Sequence, residues 1–465
     1  MPAPPDVQGA VERRFDRTVE ELCALARIPS VSAPGFDPAE VERSAEAVRD
    51  LLADRGLEKV EILRVGDAHP YVLGEWLHAG PDAPTALIYA HHDVQPPGRL
   101  DHWKTPPFEP RIRSDGRLYG RGVVDDKAGL MLHVAALCAW LETRGALPIN
   151  VKLLVEGEEE IGSAHLADFL RIHRERLHCD VLVLSDTANL ATGIPSLTTS
   201  LRGIVNVDVT VRALDHPLHS GMWGGPVPDA ATALVGLLGR LVDVRGRCRV
   251  PGLEDDVPEL GVDERAALEA LPFDAAAFRR DAGMLGESMA GDPARSVYER
   301  LWHRPSLSVV ALEAMPLAAA ANQLIAVARA RVGVRVAPGQ SALRVRDVLT
   351  DFLSADPPQG VRVETEVRAA VDGWHTRPEG PAFDAARRAL AAGFGREAVC
   401  IGCGATIPFV GPFAEVLGGV PALLLGLEDP PCNAHGENES LDLADFRKAA
   451  LSSAHLLDEL RAVPR

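Results

Sequence analysis

Two kinds of apolar pattern alternate along the first part of the chain. Residues 11–26 and 39–53 carry apolar side chains at helical spacing, while 60–65 and 71–75 read as short strands. Residues 85–90 (Thr-Ala-Leu-Ile-Tyr-Ala), 150–155 and 181–184 are nearly unbroken apolar runs, the mark of strands buried on both faces. Helical patterns at 126–141 and 163–177 lie between them. This alternation predicts an α/β domain around a mixed, largely parallel sheet.

The pattern changes after Leu201-Arg202-Gly203. Residues 204–211 alternate apolar and polar positions, as in a strand with one solvated face. Strands at 307–312, 324–336 and 361–367 and helices at 229–242 and 342–353 continue in that style. The stretch 251–281 is polar, acidic and interrupted by Pro, and reads as a solvated edge with no evident task. A helix at 383–393 and an apolar strand at 420–425 resume the first style. The chain therefore predicts one α/β domain in two pieces, 1–201 and 374–465, interrupted by an α+β domain at 202–373. No repeat of 20–50 residues is visible.

A length of 465 residues suits two or three domains at about 100–200 residues each. Acidic residues outnumber basic ones by 66 to 48, a net charge of −18, which argues against nucleic acid or an anionic membrane as the main partner. No run approaches the ~18 apolar residues of a membrane span. The first twelve residues are Pro-rich and then polar, without the basic and apolar regions of a signal peptide. Seven cysteines, an odd number without framework spacing, suit a reducing compartment. The expected location is the cytoplasm.

Metal-type ligands cluster after the buried strands. His91 and Asp93 follow the first run, Glu156, Glu158, Glu159 and Glu160 the second, and Asp186 the third. His435 lies in a polar loop after the strand at 420–425, and Asp125-Asp126 precede a helix. Ligands of open α/β sheets bind outside the carboxyl ends of the strands. Imidazole with carboxylate suits Zn²⁺, Mn²⁺ or Co²⁺, and two His with three carboxylates suffice for a two-metal site with one bridging carboxylate.

Six segments, in order, resemble the M20 family of metallopeptidases, close to the carnosinase-like dipeptidases. They are His91-His92-Asp93-Val94-Gln95-Pro96, Gly120-Arg121-Gly122-Val123-Val124-Asp125-Asp126-Lys127, Glu156-Gly157-Glu158-Glu159-Glu160-Ile161-Gly162-Ser163, Ser185-Asp186-Thr187, His219-Ser220-Gly221 and Ala434-His435-Gly436-Glu437-Asn438-Glu439. The resemblance implies a two-metal zinc-peptidase-type domain with an α+β lid that also dimerises. It implies that Asp125 bridges two divalent ions, Zn or Mn, with His91 and Asp186 completing one position and Glu160 and His435 the other. Glu159 would be the general base. Asp93 would fix the tautomer of His91. A cis peptide between Asp125 and Asp126 is implied as well.

The same resemblance gives the lid three roles. His219 matches a histidine that reaches the partner subunit's site and stabilises the oxyanion. Arg335 matches an arginine that grips the substrate's terminal carboxylate. Thr406, in Gly404-Ala405-Thr406-Ile407-Pro408, stands where the family has Ser in a loop binding the same group. Asn322 keeps a lid contact, but the following Gln323-Leu324-Ile325-Ala326 departs from the family's Thr-Val-Ile-Pro. The implied activity is hydrolysis of dipeptides or short peptides by a homodimer. The alternatives are an N-acyl-amino-acid deacylase or desuccinylase on the same metals, and a silent scaffold, which would have lost a ligand or the base. His92 and His102 read as non-ligands, Cys400 and Cys403 as thiols without a metal, and Asp186 also suits a helix cap.

Overall fold

The computed structural model describes residues 2–406 and 410–464. The chain divides into two compact units. One comprises Met1–Thr199, Arg377–Ile401 and Pro408–Arg465, the other Ser200–Thr376 and Gly402–Ile407. No helix among the described residues is long and apolar enough to cross a membrane.

The first unit is built on a mixed sheet. From its edge inward the strands are Glu58–Leu63, Tyr71–Trp76, Asn150–Glu156, Thr85–His91, Val181–Ala188, Ala422–Glu428 and Ser196–Leu201. The central four, Asn150–Glu156 to Ala422–Glu428, run parallel. Both faces are covered, which is why these runs are apolar without alternation. In Thr85–His91, Ala86, Ile88 and Ala90 face the main core. Tyr89 turns to the other face, where it meets Phe413 edge-on with ring centroids 5.3 Å apart.

Helix Lys127–Arg144 is buried from Lys127 to Trp140 and ends at Gly145 in a left-handed conformation. A helix apolar on every side belongs in the middle of a layer. Helices Pro5–Ala26, Pro381–Phe394 and Leu443–Glu459 share its core. Where Pro381–Phe394 crosses Leu443–Glu459, Gly393 leaves no room for a side chain. A Cβ there would overlap Ser452 and lie 2.7 Å from the Lys448 carbonyl.

The second unit holds a four-stranded antiparallel sheet in the order Ser306–Glu313, Val327–Val336, Gly203–Arg212, Arg362–Val371. Gly203–Arg212 alternates buried and half-exposed residues along its length. Its apolar side meets helices Ala230–Leu238 and Ala342–Ser354 in a separate core. Its polar side carries Asp208, which accepts from Arg331 at 2.6 Å and from Arg368 at 2.6 Å.

Three element readings are corrected. The helix expected at 163–177 is two pieces, Leu166–Ile172 and Arg174–Leu177. Ser163 takes φ 51°, so no helix starts there. The strand expected at 324–336 breaks into Gln323–Leu324 and Val327–Val336. The Asp229 side chain captures the Ile325 N–H at 2.6 Å and removes it from the ladder. The acidic stretch 251–281 is structured: it contains helices Val262–Ala270 and Ala275–Asp281. Its acids also have tasks, since Asp256 accepts from Gln340 at 2.9 Å and Arg344 at 2.7 Å.

Gly393→Ala is expected to lower unfolding stability by about 1–3 kcal/mol through overpacking at the helix crossing. Denaturant unfolding of the two proteins measures it, and an unchanged midpoint would contradict the crossing described here.

Candidate metal centre

Carboxyl ends of the parallel strands bring the first ligands together. His91 ends one strand, and Asp186 lies within Val181–Ala188 rather than after it. Asp125 comes from the loop before helix Lys127–Arg144, Glu160 from the short helix Glu159–Ile161, and His435 from the loop after Pro430–Cys432.

The two carboxylate oxygens of Asp125 face different histidines. Oδ1 lies 3.0 Å from His91 Nε2 and Oδ2 lies 2.9 Å from His435 Nε2. Asp186 Oδ2 stands 3.8 Å from His91 Nε2, and Glu160 Oε2 stands 3.2 Å from His435 Nε2. The result is two histidine–carboxylate pairs divided by one shared carboxylate. The geometry also gathers His91 with Asp126 and Asp186, and Asp125 with Asp186 and Glu428, as groups able to hold an ion. In the sequence Asp126 stands out only as the neighbour of Asp125, without a ligand role, and Glu428 does not stand out. The apolar run stops at Leu425, but the strand pairs onward to Glu428, so that residue is on the sheet.

Asp93 anchors the segment that carries Glu159 and Glu160. Its carboxylate accepts the N–H groups of Glu159 at 3.2 Å and Glu160 at 3.1 Å and the Ser32 hydroxyl at 2.6 Å. His91 Nδ1 lies 3.1 Å from the Asp93 carbonyl and 3.4 Å from its carboxylate, so both hold the ring. Gln95 donates to the Glu160 carboxylate through its backbone at 3.1 Å and its amide at 2.8 Å. The Asp125–Asp126 peptide is cis. Lys127 turns away from the cluster and donates to the carbonyls of Leu25 and Ile28. His92 is buried with Nε2 against the Pro70 carbonyl, and His102 is half-exposed; neither belongs to the ligand groups.

A buried ion pair, Arg121 with Glu439, holds two of these loops at 2.5 Å. Glu439 also accepts the N–H groups of Gly122 at 3.1 Å and Val124 at 3.0 Å. Arg121 donates further to the carbonyls of Pro96, His435 and Gly436. His435 itself is held at φ 62°. Both residues stand in the sequence motifs, but their spacing says nothing of this clamp.

The electrostatics ask for cations. Burial, then Glu160 and Asp125, push the Glu159 carboxyl well above its usual range, although His91 opposes them. Burial and Asp126 do the same to Asp186. Burial followed by Asp125 raises Glu428 to about 8. His435 is raised to about 11 by its hydrogen bonds to Asp125 and Glu160. Carboxylates that destabilise one another in a buried cluster, with two imidazoles of matching reach, fit a pair of divalent ions.

The remaining candidates lie in the second unit. His219 is exposed, and its Nδ1 accepts the Gly221 N–H at 3.1 Å, capping the turn Ser220–Trp223. Asn322 accepts the Ser220 N–H through its carbonyl at 2.9 Å, which brings it beside His219. Arg335 Nη1 donates to the Thr406 hydroxyl at 2.9 Å. Ile407 and Pro408 of the same segment lie outside the described residues. Sequence reasoning missed Arg202, which is 8% exposed and donates to the Gly404 carbonyl at 3.0 Å and the Ser306 hydroxyl at 2.9 Å. Burial and then Arg335 lower it to about 10. Among the described residues neither Arg202 nor Arg335 has a carboxylate partner.

Arg121→Met is expected to cost about 3–5 kcal/mol of stability, because Glu439 is left buried and unpaired. Arg99→Ala, which breaks an exposed pair with Glu437, should change stability by less than about 1 kcal/mol. Equal effects in thermal unfolding would contradict this ranking.

Comparison with known proteins agrees with the geometry. Residues 87–459 match the model of peptidase family M20/M25/M40. The chain is 33% identical over 419 residues, 90% of this chain and 89% of the relative, to the cysteinylglycine-S-conjugate dipeptidase of Corynebacterium striatum. It is 30% identical over 380 residues, 80% of this chain and 74% of the relative, to the human Beta-Ala-His dipeptidase. The solved structure of the di-peptidase Dug1p from Saccharomyces cerevisiae superposes with TM-score 0.85 at 25% identity, covering 99% of each chain. With the family match spanning most of its length and the site built from that family's motifs, the chain belongs to peptidase family M20/M25/M40 and is a metallopeptidase.

Proposed function

We propose that this protein hydrolyses the peptide bond of free dipeptides or short peptides at a dinuclear centre. The carrying observation is Asp125, with one oxygen toward each histidine–carboxylate pair. In this reading Asp125 bridges, His91 and Asp186 complete one position, and Glu160 and His435 the other. Zn²⁺ or Mn²⁺ suits that mixed set. When bound, the two ions would supply Lewis-acid chemistry, lowering the pKa of a water and polarising a carbonyl.

Glu159 takes the water's proton and returns it to the leaving amine. Asp93 accepts the Glu159 N–H at 3.2 Å and so fixes its backbone. Arg335 and Thr406 bind the substrate's terminal carboxylate. The lack of a carboxylate on Arg335 or Arg202 among the described residues supports an anionic substrate group there. His219 from a partner subunit stabilises the oxyanion, and Asn322 beside it completes a lid contact. The relatives' dipeptidase names support this substrate over the N-acyl-amino-acid alternative.

The reading extends to a cytoplasmic homodimer with the second unit, 202–373 in the sequence division, as lid and dimerisation domain. None of the seven cysteines forms a disulfide, which suits a reducing compartment. Strand Ser306–Glu313 is an edge strand with Val309, Val310 and Leu312 exposed at 43–60%. An open apolar edge of this kind is a template for a second copy.

The activity test uses protein stripped with chelator and reloaded with Mn²⁺ or Zn²⁺. Free dipeptides should be cleaved only after reloading, and C-terminal amidation should abolish cleavage. Glu159→Gln should keep its metal content and lose at least ~10²-fold in kcat. Preference for N-acetyl or N-succinyl amino acids, or near-normal turnover by the variant, would overturn the assignment.

Val310→Glu with Leu312→Glu should turn a dimer into a monomer in light scattering. A dimer that survives both changes would rule out this edge as the interface.

A further inference from the structure

We propose that Glu428 is an additional ligand of the metal centre, adding a third carboxylate to Asp125 and Asp186 beside His91 and so biasing that ion position toward hard divalent cations such as Mn²⁺. This rests on the two-metal reading above. Three observations carry it.

The first is placement. Ala422–Glu428 runs parallel to Val181–Ala188, with Glu428 opposite Ala188. Ala188 is two residues beyond Asp186, and register shifts on either side of Gly426 set Glu428 level with it. Close approach of the strands fixes this. At Gly426 a Cβ would overlap the Asn189 side chain and lie 2.6 Å from the Ala188 carbonyl.

The second is convergence. Carboxylate oxygens of Glu428, Asp125 and Asp186 all lie within 4.8 Å of one another. The group is more than an acidic cluster, because Asp125 also meets His91 and His435 through its two oxygens.

The third is chemistry. Among the described residues no hydrogen bond or ion pair engages the Glu428 carboxylate, although Asp125, Asp93, Glu160 and Glu439 all have such partners. A carboxylate set against two others and given no protein donor is stabilised by a cation. Carboxylate oxygens favour Mg²⁺, Ca²⁺ and Mn²⁺, whereas imidazole suits Zn²⁺. A third carboxylate therefore shifts the balance of this position toward oxygen.

The test compares the wild type with Glu428→Gln and Glu428→Asp, all metal-free at the start. Mn²⁺ and Zn²⁺ are titrated by calorimetry, and bound metal is counted by mass spectrometry after dialysis. Glu428→Gln should weaken Mn²⁺ at one of two positions by about 10–100-fold, the scale of losing a supporting carboxylate. Zn²⁺ should weaken less, and Glu428→Asp, which keeps the charge, should recover part of the Mn²⁺ affinity. Mn²⁺ and Zn²⁺ affinities unchanged in both variants, or equal losses for both ions, would overturn the proposal. Should the wild type itself bind fewer than two ions, the two-metal reading fails, independently of Glu428.

Discussion

The centre depends on one buried ion pair. Arg121 and Glu439 are 318 residues apart in sequence, and their contact joins the loop that presents Asp125 to the loop that presents His435. Exposure of the two side chains is only 2% and 0%, so each charge relies on the other and on the backbone groups around it. Glu439 takes up N–H groups of the Asp125 loop, and Arg121 takes up carbonyls of the His435 loop. Backbone that could not pair within a helix or sheet is thereby satisfied, and two ligands are fixed in relation to each other.

Around that clamp the protein concentrates negative charge where it is least comfortable. Asp93, Asp125, Asp126, Glu159, Asp186 and Glu428 all lie in one poorly solvated region of the first unit. Burial pushes Asp126, Glu159, Asp186 and Glu428 toward their neutral forms, while contacts with histidine hold Asp93 and Asp125 ionised, and added cations would favour the charged form of all six. The second unit shows the opposite polarity on a smaller scale, in Arg202 and Arg335, which among the described residues meet only neutral acceptors. Uncompensated charge of either sign is weak evidence for stability and good evidence for a ligand.

Both features explain where sequence patterns were legible. Strands buried on two faces give unbroken apolar runs, so the central sheet and the helix Lys127–Arg144 could be read directly. Their carboxyl ends could not. A functional carboxylate interrupts the apolar pattern while the backbone ladder continues, which is why Asp186 and Glu428 belong to strands that the pattern ends early. The break at Ile325 was invisible for a related reason. It is made by a side chain ninety-six positions away, and no local periodicity records that.

By itself the sequence determined which residue types stand at the ends of buried strands, and therefore that a histidine–carboxylate metal chemistry is available. It also determined the α/β and α+β styles, because burial on two faces and on one face leave different periods. Only the tertiary structure decided that Asp125 divides its oxygens between His91 and His435, that Arg121 and Glu439 lock two distant loops, and that Glu428 comes within reach of Asp125 and Asp186. The reason is physical: which atoms meet across hundreds of residues depends on strand register, close approach at glycine and the pairing of buried polar groups. Those are properties of the packed chain, and none is encoded in any one segment.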